Sequence, residues 1–543
     1  MRSIRFVPGG LKALFLEGCV LTAALALVAA CSRPPSGGEA TTVVTVAIPE
    51  HPAAVDSLIY SEMLEDCNDS IIYGGVVNAD GSPRPAVDAV IRPLDIPVVR
   101  WPGGTYSLEY HWEKAVGPLA DRPVTPDSAW GGSDNNRFGT DEFLAWCAKV
   151  GTRAYINFNM GNHPPQAGTL SEALHWIEYV NGAAGTPYGK KRAANGHPEP
   201  YGVRYWGVGN ENYGSWGSHT AESDSAYAGR LLQWATAMHR QDSSLLLLGV
   251  GHTYRWDSTV LAKCGGVVEL LTQHYYVTSR IRDHKVEDPA RSLFAPLKME
   301  AHLEMLKPLV EAANQRFDRQ ENPLRLSVDE WDNRHNVYDS GKYSFTRQDP
   351  RYQFDVAVVA GMLNVFIRQS PLVGMANYIF PVNGHGLIRS VGDTGAYRTS
   401  IYYVFDQYRK WMTGRALSAG VTGPGVKASD IRMYMDGDAR EAKLDSAHLS
   451  YVDASAVENA DGSLTVALVN RDAAHPRKVS VAVPDGYVAT KAWVLEHDDI
   501  NAYNAAGDRD RISPRLEDVA AYSGALSREI SPCGLQLIRF QKR

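Results

Sequence analysis

The feature that most constrains the fold is a repeated unit in which a short apolar strand ends on a polar residue and precedes an amphipathic helix. Eight candidate strands follow this pattern, at 58–65, 97–103, 153–159, 205–211, 245–252, 267–276, 324–330 and 375–381. Helical patterns lie between them, at 141–150, 170–180, 223–240, 293–316 and 352–368. For the first of these we expect Thr140 to be the N-cap and Gly151 to follow the last helical residue. Apolar strands that alternate with helices indicate a parallel sheet. Eight such units over about 350 residues predict an α/β fold, a (β/α)8 TIM barrel at 58–414.

The pattern changes after about residue 414, where alternating strands and turn signals replace the strand-helix units. Candidate strands lie at 449–457, 464–470, 478–483 and 534–540, and Asp461-Gly462 is a strong signal for a hairpin turn. These strands predict a C-terminal antiparallel β-sandwich, jelly-roll-like, at 415–543. The segment 42–48 alternates in the same way. We therefore expect 42–57 to supply an N-terminal strand to the sandwich rather than to the barrel.

The N-terminal 30 residues have the composition of a targeting segment. Basic residues up to Lys12 precede an apolar run at 19–30, which is too short to span a bilayer. The run ends at Leu27-Val-Ala-Ala-Cys31-Ser32, which resembles the lipobox of bacterial lipoproteins, whose cysteine is acylated. We expect a signal peptide at 1–30, a lipid anchor on Cys31 and a flexible tether at 31–41. The protein would then be a lipoprotein of the bacterial cell envelope, periplasmic or associated with the outer membrane; an ordinary cleaved signal peptide is the alternative.

Charge and cysteine content exclude other classes of function. The formal net charge of −7 does not favour binding to nucleic acid. Apart from those in the N-terminal segment, the cysteines are Cys67, Cys147, Cys264 and Cys533. They form no Cys-x-x-Cys pair and have no histidine at metal-ligand spacing, so we expect neither a metal site nor a disulfide framework. One incidental disulfide remains open.

Two of the predicted strands end on a glutamate in an aromatic setting. Glu211 ends the run Tyr205-Trp-Gly-Val-Gly-Asn-Glu211, and Glu330 ends Leu324-Arg-Leu-Ser-Val-Asp-Glu330. Catalytic residues of barrels emerge at the carboxyl ends of the strands, and strands four and seven can face each other across the mouth. Carboxylates about 5–5.5 Å apart are what a retaining glycosidase needs, one as nucleophile and one as acid/base. The alternative for either glutamate alone is an ion pair beneath a loop.

Six motifs follow one another along the chain. They are Arg100-Trp-Pro-Gly-Gly104, Tyr110-His-Trp-Glu-Lys-Ala-Val-Gly-Pro118, Asn136-Arg-Phe-Gly-Thr-Asp-Glu-Phe143, Tyr205-Trp-Gly-Val-Gly-Asn-Glu-Asn212, Val328-Asp-Glu-Trp331 and Val469-Asn-Arg471. In this order they resemble glycoside hydrolase family 51, the α-L-arabinofuranosidases of clan A. The resemblance implies a barrel with a C-terminal β-sandwich, retaining stereochemistry and no cofactor. It also implies exo-acting release of terminal α-L-arabinofuranosyl residues from arabinose-containing polysaccharides or oligosaccharides. Members of the family often form hexamers, which leaves a homo-oligomer open.

The resemblance assigns roles to individual residues. Glu211 would be the general acid/base and Glu330 the nucleophile of a double displacement. Asn210 resembles the residue that hydrogen-bonds the sugar 2-hydroxyl, with a loop-capping asparagine as the alternative. Glu65 resembles the first-strand glutamate that binds sugar hydroxyls; its alternative is an ion pair with Arg100, which we also expect at the substrate site.

Strand six and the loop after Glu211 add further candidates. Gln273-His-Tyr-Tyr276 resembles a His-x-Tyr element whose tyrosine hydroxyl orients the nucleophile. The register leaves Tyr275 and Tyr276 open, and we favour His274 with Tyr276. Trp216 is expected to offer an apolar face to the sugar, with core packing as the alternative.

Two departures from the family pattern concern the identity of the sugar. Thr105 follows Pro-Gly-Gly where many bacterial members have asparagine, and Phe380 stands where glutamine is frequent. Losing both amides removes hydrogen bonds to ring hydroxyls. A same-clan retaining glycosidase or endoglucanase with a different glycone is therefore an alternative, because loops set specificity while the carboxylates set the chemistry. A surface glycan-binding lipoprotein is an alternative of another class.

Overall fold

The computed structural model describes residues 41–519 and 525–543. The predicted signal peptide, the lipid anchor at Cys31 and the tether up to residue 40 lie outside the described residues. Among the helices of the described ranges, none combines the length and the apolar character needed to cross a membrane.

Eight parallel strands close into a barrel, which confirms the predicted (β/α)8 architecture. We number the barrel strands β1 to β8 in chain order: Ser61–Met63, Val98–Trp101, Arg153–Phe158, Tyr205–Val208, Leu246–Gly249, Leu270–Arg282, Arg325–Asp339 and Val373–Tyr378. Each strand pairs in parallel with the next, and β8 pairs with β1. Most positions in these strands are buried, as expected for a sheet that is covered by helices on one side and filled by side chains on the other.

The strand bounds differ from the prediction where polar residues continue a strand beyond its apolar part. β6 is 13 residues long and β7 is 15 residues long. Their distal halves rise above the barrel, where β7 pairs with the hairpin strand Lys342–Thr346 and β6 with Lys285–Glu287. β1 is shorter than predicted, because Ser57–Tyr60 forms a 3-10 turn.

Helices cover the outside of the barrel, at the five predicted places and at others that the sequence pattern did not mark. Their bounds are Pro85–Ile91, Thr140–Val150, Leu170–Asn181, Pro187–Ala194, Asp224–Gln241, Tyr254–Cys264, Ala290–Leu293, Pro296–Arg316, Gln353–Arg368 and Tyr402–Trp411. The helix Thr140–Val150 ends at Gly151, whose φ of 86° is left-handed as expected for a helix end. Thr140 was expected to be the N-cap, but Gly139 is. A Cβ at Gly139 would lie 1.8 Å from the Ala115 carbonyl oxygen, so close packing selects glycine there.

The second region is an antiparallel β domain, as predicted. Its strands, in sheet order, are Arg515–Asp518, Tyr487–Leu495, Leu535–Lys542, Leu464–Asn470, Val452–Glu458, Arg415–Thr422, Thr42–Ala47, Arg477–Ala482 and Leu526–Ile530. The strand Thr42–Ala47 lies antiparallel to Arg415–Thr422 and parallel to Arg477–Ala482. Its inward residues Val44 and Val46 join an apolar core with side chains from the other strands, and Gly462 forms the hairpin turn with φ 76°.

One segment of the C-terminal region leaves the β domain and reaches the barrel. The strand Met435–Gly437 pairs antiparallel with β6, opposite Tyr275 to Val277. A two-stranded ladder of Gly425–Lys427 with His448–Ser450 brackets this excursion. Residues distant in sequence from every barrel strand therefore reach the barrel mouth.

Candidate active site

The carboxyl ends of the barrel strands open into a cleft of about 1440 Å³. The predicted site residues that line it are Glu65, Thr105, Glu211, Trp216, Tyr276, Glu330 and Phe380. Arg100, Asn210 and His274 lie buried directly behind this surface. Arg100 contacts Glu330, His274 contacts Glu211, and Asn210 contacts Arg100. The structure thus brings the predicted residues of six different strands and their loops into one site.

Glu330 lies on β7 and is held on both of its oxygens. Arg100 donates a hydrogen bond from Nη1 to Oε1 at 2.7 Å, and the Tyr276 hydroxyl donates to Oε2. The residue is only 7% exposed. Burial alone would raise the pKa of Glu330, but the charges of His274 and Arg100 outweigh it and lower the pKa to about 2. Glu330 is therefore an ionised, oriented carboxylate.

His274 lies between the two predicted catalytic carboxylates. Its Nδ1 is 2.8 Å from Glu211 Oε1 and 3.7 Å from Glu330 Oε2, and its Nε2 is 3.3 Å from Asp329 Oδ1. Burial alone would lower the pKa of His274, but the three carboxylates raise it well above its ordinary value. A carboxylate oxygen of Glu211 and one of Glu330 lie within 4.8 Å of each other. This separation is the one expected for a retaining rather than an inverting pair.

The turn after β4 presents Asn210 and Glu211 side by side. Glu211 has a φ of 43°, in the left-handed region that non-glycine residues seldom adopt. Its Oε1 accepts hydrogen bonds from the Tyr213 hydroxyl at 3.1 Å and from His274. Unlike Glu330, it makes no contact with an arginine within the described ranges. The two carboxylates thus have different surroundings, as different chemical roles require.

Arg100 connects the nucleophile candidate to Asn210. Its Nη2 donates to Asn210 Oδ1 at 2.7 Å, while its Nη1 binds Glu330. This bond fixes the amide so that its nitrogen is the free end. Asn210 Nδ2 is buried and has no hydrogen-bond partner among the residues that the structure describes. A buried donor without a partner is suited to a ligand hydroxyl.

Glu65 is held by backbone amides rather than by Arg100, so the alternative of an ion pair is not what the structure shows. Its Oε1 accepts from Gly104 N at 3.1 Å and Tyr106 N at 2.9 Å. Burial, with a smaller effect from Glu330, raises the pKa of Glu65 to about 7. A Cβ at Gly103 would lie 2.4 Å from Glu65 Cγ, and one at Gly104 would lie 2.6 Å from Glu330 Oε1. The two glycines leave space for the two carboxylates.

The structure separates the two tyrosines that the sequence left open. Tyr276 points into the cleft and donates to Glu330, whereas the Tyr275 hydroxyl contacts His302 Nδ1 at 2.7 Å on the outer side of β6. Trp216 is 45% exposed at the rim of the cleft, which does not fit the alternative of core packing. Asn159, although it too ends a strand, serves its own loop by donating to the Gln166 carbonyl.

Several site residues carried no recognisable sequence signal. The guanidinium of Arg334 lies 3.3 Å from the centroid of the Tyr276 ring, on the polar extension of β7. Tyr213 lies two positions after Glu211, just beyond the quoted motif, and its hydroxyl donates to Glu211. Asp438 enters from the C-terminal region and accepts the His274 backbone N–H at 2.7 Å. Only the pairing of Met435–Gly437 with β6 reveals it.

Glu211, His274 and Glu330 also have the spacing of a metal-ligand group. Their contacts do not favour that use. Arg100 and Tyr276 already occupy the two oxygens of Glu330, and the raised pKa of His274 keeps the ring protonated. A histidine that binds a metal must instead have a neutral imidazole ring.

An ionised glutamate facing a second glutamate across the mouth of a (β/α)8 barrel defines this protein as a glycoside hydrolase. A family model described as the α-L-arabinofuranosidase 1 domain matches residues 90–291. A second, described as the α-L-arabinofuranosidase C-terminal domain, matches residues 329–533. A probable α-L-arabinofuranosidase C of Aspergillus terreus is 32% identical over 467 residues, covering 81% of this chain and 86% of that protein.

Solved structures agree with these matches. The α-L-arabinofuranosidase of Thermotoga maritima in complex with arabinose superposes with a TM-score of 0.78 at 27% identity, covering 92% of this chain and 99% of that one. The family 51 arabinofuranosidase of Xanthomonas axonopodis pv. citri superposes with a TM-score of 0.80 at 25% identity, covering 93% and 100%. The chain belongs to the α-L-arabinofuranosidases of glycoside hydrolase family 51.

Proposed function

We propose that this enzyme releases terminal α-L-arabinofuranosyl residues from arabinose-containing polysaccharides or oligosaccharides by a retaining double displacement. The observation that carries the mechanism is the pair formed by Glu211 and Glu330, with oxygens within 4.8 Å and unequal surroundings. Glu330 is the nucleophile because Arg100 and His274 keep it ionised. Glu211 is the acid/base because it adjoins Tyr213 and His274, two donors, and no arginine within the described ranges.

In the first step Glu330 attacks the anomeric carbon while Glu211 protonates the departing oxygen. The bond between the anomeric carbon and the leaving oxygen breaks, and an ester between the sugar and Glu330 forms. Arg100 and Tyr276 hold the attacking carboxylate in one orientation, which keeps the reacting atoms close.

In the second step Glu211, now a carboxylate, takes a proton from the water that attacks the same carbon. The ester breaks, Glu330 is released as a carboxylate, and the anomeric configuration is retained after two inversions. His274 stays beside both glutamates throughout and offsets their negative charge.

The remaining predicted residues bind the sugar. Asn210 Nδ2 is the donor for the 2-hydroxyl, since Arg100 already occupies its oxygen. Glu65 offers a carboxyl group to further hydroxyls, and Trp216 offers an apolar face at the rim. The cleft of about 1440 Å³ exceeds the roughly 300–1,000 Å³ typical of small-molecule sites, which supports a substrate larger than one pentose.

The protein is proposed to be anchored in the bacterial cell envelope through a lipid on Cys31. The support is the lipobox resemblance at 27–32 and the Pro- and Gly-containing segment that follows it. Membrane fractionation of the full chain beside Cys31→Ala tests this, with the variant expected to leave the membrane fraction. Light scattering of the protein that begins at Ser32, without the lipid anchor, tests whether a homo-oligomer forms.

The reaction is tested with soluble protein beginning at Ser32, its Glu330→Ala variant and a panel of aryl glycosides. The panel is α-L-arabinofuranoside, β-D-xyloside, β-D-glucoside and β-D-galactofuranoside. Preferential turnover of the arabinofuranoside, abolished by Glu330→Ala, is the expected result. Turnover of another glycoside instead would keep the mechanism and make Thr105 and Phe380 the first candidates for the altered specificity. Binding of polysaccharide without turnover of any substrate would contradict the proposal and favour a glycan-binding protein.

The assignment of Glu211 has its own test. Glu211→Ala should hydrolyse an aryl arabinofuranoside with an activated leaving group far better than one with a poor leaving group, because only the poor one needs protonation. Azide should then accelerate the variant and yield the α-L-arabinofuranosyl azide, with the anomeric configuration of the substrate, because azide attacks the glycosyl-enzyme without a general base. Equal losses on both substrates would contradict the role.

A further inference from the structure

We propose that Asp438, which the C-terminal region carries into the barrel mouth, is a positioning residue that orients Glu211 through His252, Tyr213 and His274. The inference rests on the proposed role of Glu211 as acid/base, and it concerns the contacts that set the orientation of the Glu211 carboxyl group.

Asp438 is fixed against β6 by two hydrogen bonds to the backbone of His274. Its backbone N–H donates to the His274 carbonyl at 2.9 Å, and its Oδ2 accepts the His274 backbone N–H at 2.7 Å. Its side chain is fully buried. A Cβ at the preceding Gly437 would lie 2.2 Å from the His274 carbonyl oxygen, so glycine is what permits this close approach. Asp438 is therefore held in one position relative to His274.

The other oxygen of Asp438 holds His252, which follows β5. Asp438 Oδ1 lies 2.6 Å from His252 Nδ1. The His252 ring in turn stacks on the Tyr213 ring, with centroids 3.6 Å apart and planes 9° apart. The Tyr213 ring also meets Trp256 edge-on, with centroids 5.8 Å apart. Two aromatic contacts thus define the plane of Tyr213, and Asp438 sets the nearer one.

Tyr213 completes the connection to the acid/base. Its hydroxyl donates to Glu211 Oε1 at 3.1 Å. Burial, together with the charges of Asp438 and Glu211, raises the pKa of Tyr213 well above its ordinary value, so the hydroxyl stays a donor. His274 Nδ1 reaches the same oxygen at 2.8 Å. Asp438 therefore controls both donors to Glu211, His274 by direct contact and Tyr213 through His252.

The convergence of two donors on one oxygen has a chemical consequence. Oε1 of Glu211 accepts from Tyr213 and His274, whereas its Oε2 has no hydrogen-bond partner in the described part of the chain. The proton that Glu211 delivers is therefore carried on Oε2. A rotation of the carboxyl group would exchange the two oxygens, and Asp438 opposes it by fixing the donors.

The test compares leaving groups across variants of these residues. Asp438→Ala, His252→Ala and Tyr213→Phe are assayed on phenyl and 2,4-dinitrophenyl α-L-arabinofuranosides. General acid catalysis accelerates such reactions about 10²–10⁴-fold. If the Glu211 proton no longer points at the leaving oxygen, part of that acceleration is lost. We expect kcat/KM for the phenyl substrate to fall about 10- to 100-fold, and for the dinitrophenyl substrate at most about 3-fold. A purely structural role would lower both substrates equally.

Asp436→Ala is the matched control. Asp436 lies on the short strand Met435–Gly437, which directly precedes Asp438, but its oxygens accept from Tyr434 and Thr278 rather than from the histidines. Asp436→Ala should keep the wild-type ratio of kcat/KM between the phenyl and the dinitrophenyl substrate. Thermal unfolding identifies variants that fold, and Tyr213→Phe, which removes one hydroxyl, carries the test if Asp438→Ala does not fold.

Glu211→Ala distinguishes failure of the inference from failure of the proposed function. If Glu211→Ala lowers phenyl turnover selectively and the Asp438 and Tyr213 variants do not, the inference is overturned and the mechanism stands. If Glu211→Ala lowers both substrates equally, the acid/base assignment fails and the inference fails with it. Selective loss in all of them supports both.

Discussion

Replacing Arg100 with methionine should change the pH at which the nucleophile works. Arg100 contacts Glu330 Oε1 and Asn210 Oδ1 at 2.7 Å each, and Asp329 Oδ2 at 3.4 Å, all of them buried. Methionine keeps most of the volume and removes the charge. Glu330 would then keep only His274 as a cationic neighbour and Tyr276 as a donor.

The magnitude follows from the cost of leaving a buried charge without its partner, which is about 3–5 kcal/mol. One pKa unit corresponds to about 1.4 kcal/mol, so the lower figure equals about two units. Glu330 has a pKa of about 2 with Arg100 in place. The acid limb of kcat/KM should therefore move up to near pH 4. Because the native pKa is lowered below its ordinary 4.5, the ionised Glu330 stabilises the fold above pH 4.5, and this contribution is lost as the pH falls toward 2.

The assay is the pH profile of kcat/KM from pH 3 upward for both proteins, with thermal unfolding at each pH. Arg368→Met is the matched control, because Arg368 is a largely buried arginine that pairs with two carboxylates, Glu300 and Asp453, rather than with Glu330. We expect both variants to lose stability and only Arg100→Met to shift the acid limb. A wild-type acid limb and wild-type kcat/KM in Arg100→Met would refute this account of the nucleophile.

Three further changes test separate features of the site. Gly104→Ala should lower kcat about 10²-fold or more, because the added Cβ would lie 2.6 Å from Glu330 Oε1 and displace that carboxylate. Circular dichroism should show little change in folding, and full activity would contradict this packing. The protonated form of Glu65 stabilises the fold, because its native pKa near 7 exceeds the unfolded value, so this stability is lost as the pH rises from 4.5 to 7. Glu65→Gln should reduce that loss of unfolding free energy by up to about 3 kcal/mol. Urea unfolding across this range measures the loss, and the same pH dependence in the variant and the wild type would refute the prediction. Trp216→Ala should raise KM about 10-fold for arabino-oligosaccharides and not for phenyl arabinofuranoside, since the ring stands at the rim; equal effects would place it at the arabinose itself.

The barrel and the two glutamates could be predicted because their signals are local. Each strand is an apolar run long enough to read on its own, and Glu211 and Glu330 lie within short motifs. The predicted ends of β6 and β7 were wrong, because polar residues continue both strands above the barrel. A strand that is paired outside the core needs no apolar pattern. The expected N-cap Thr140 was displaced by one residue for a similar reason, because the selecting contact comes from Ala115.

By itself the sequence determined the (β/α)8 architecture, the C-terminal β domain and the pair of carboxylates proposed to be catalytic, because hydrophobic periodicity and short motifs are properties of the chain. Only the tertiary structure decided which tyrosine faces Glu330, why Glu330 is ionised and how Asp438 reaches His274. Charge states and hydrogen bonds depend on distances of a few ångströms between different strands. The fold sets those distances, and no local pattern in the sequence records them.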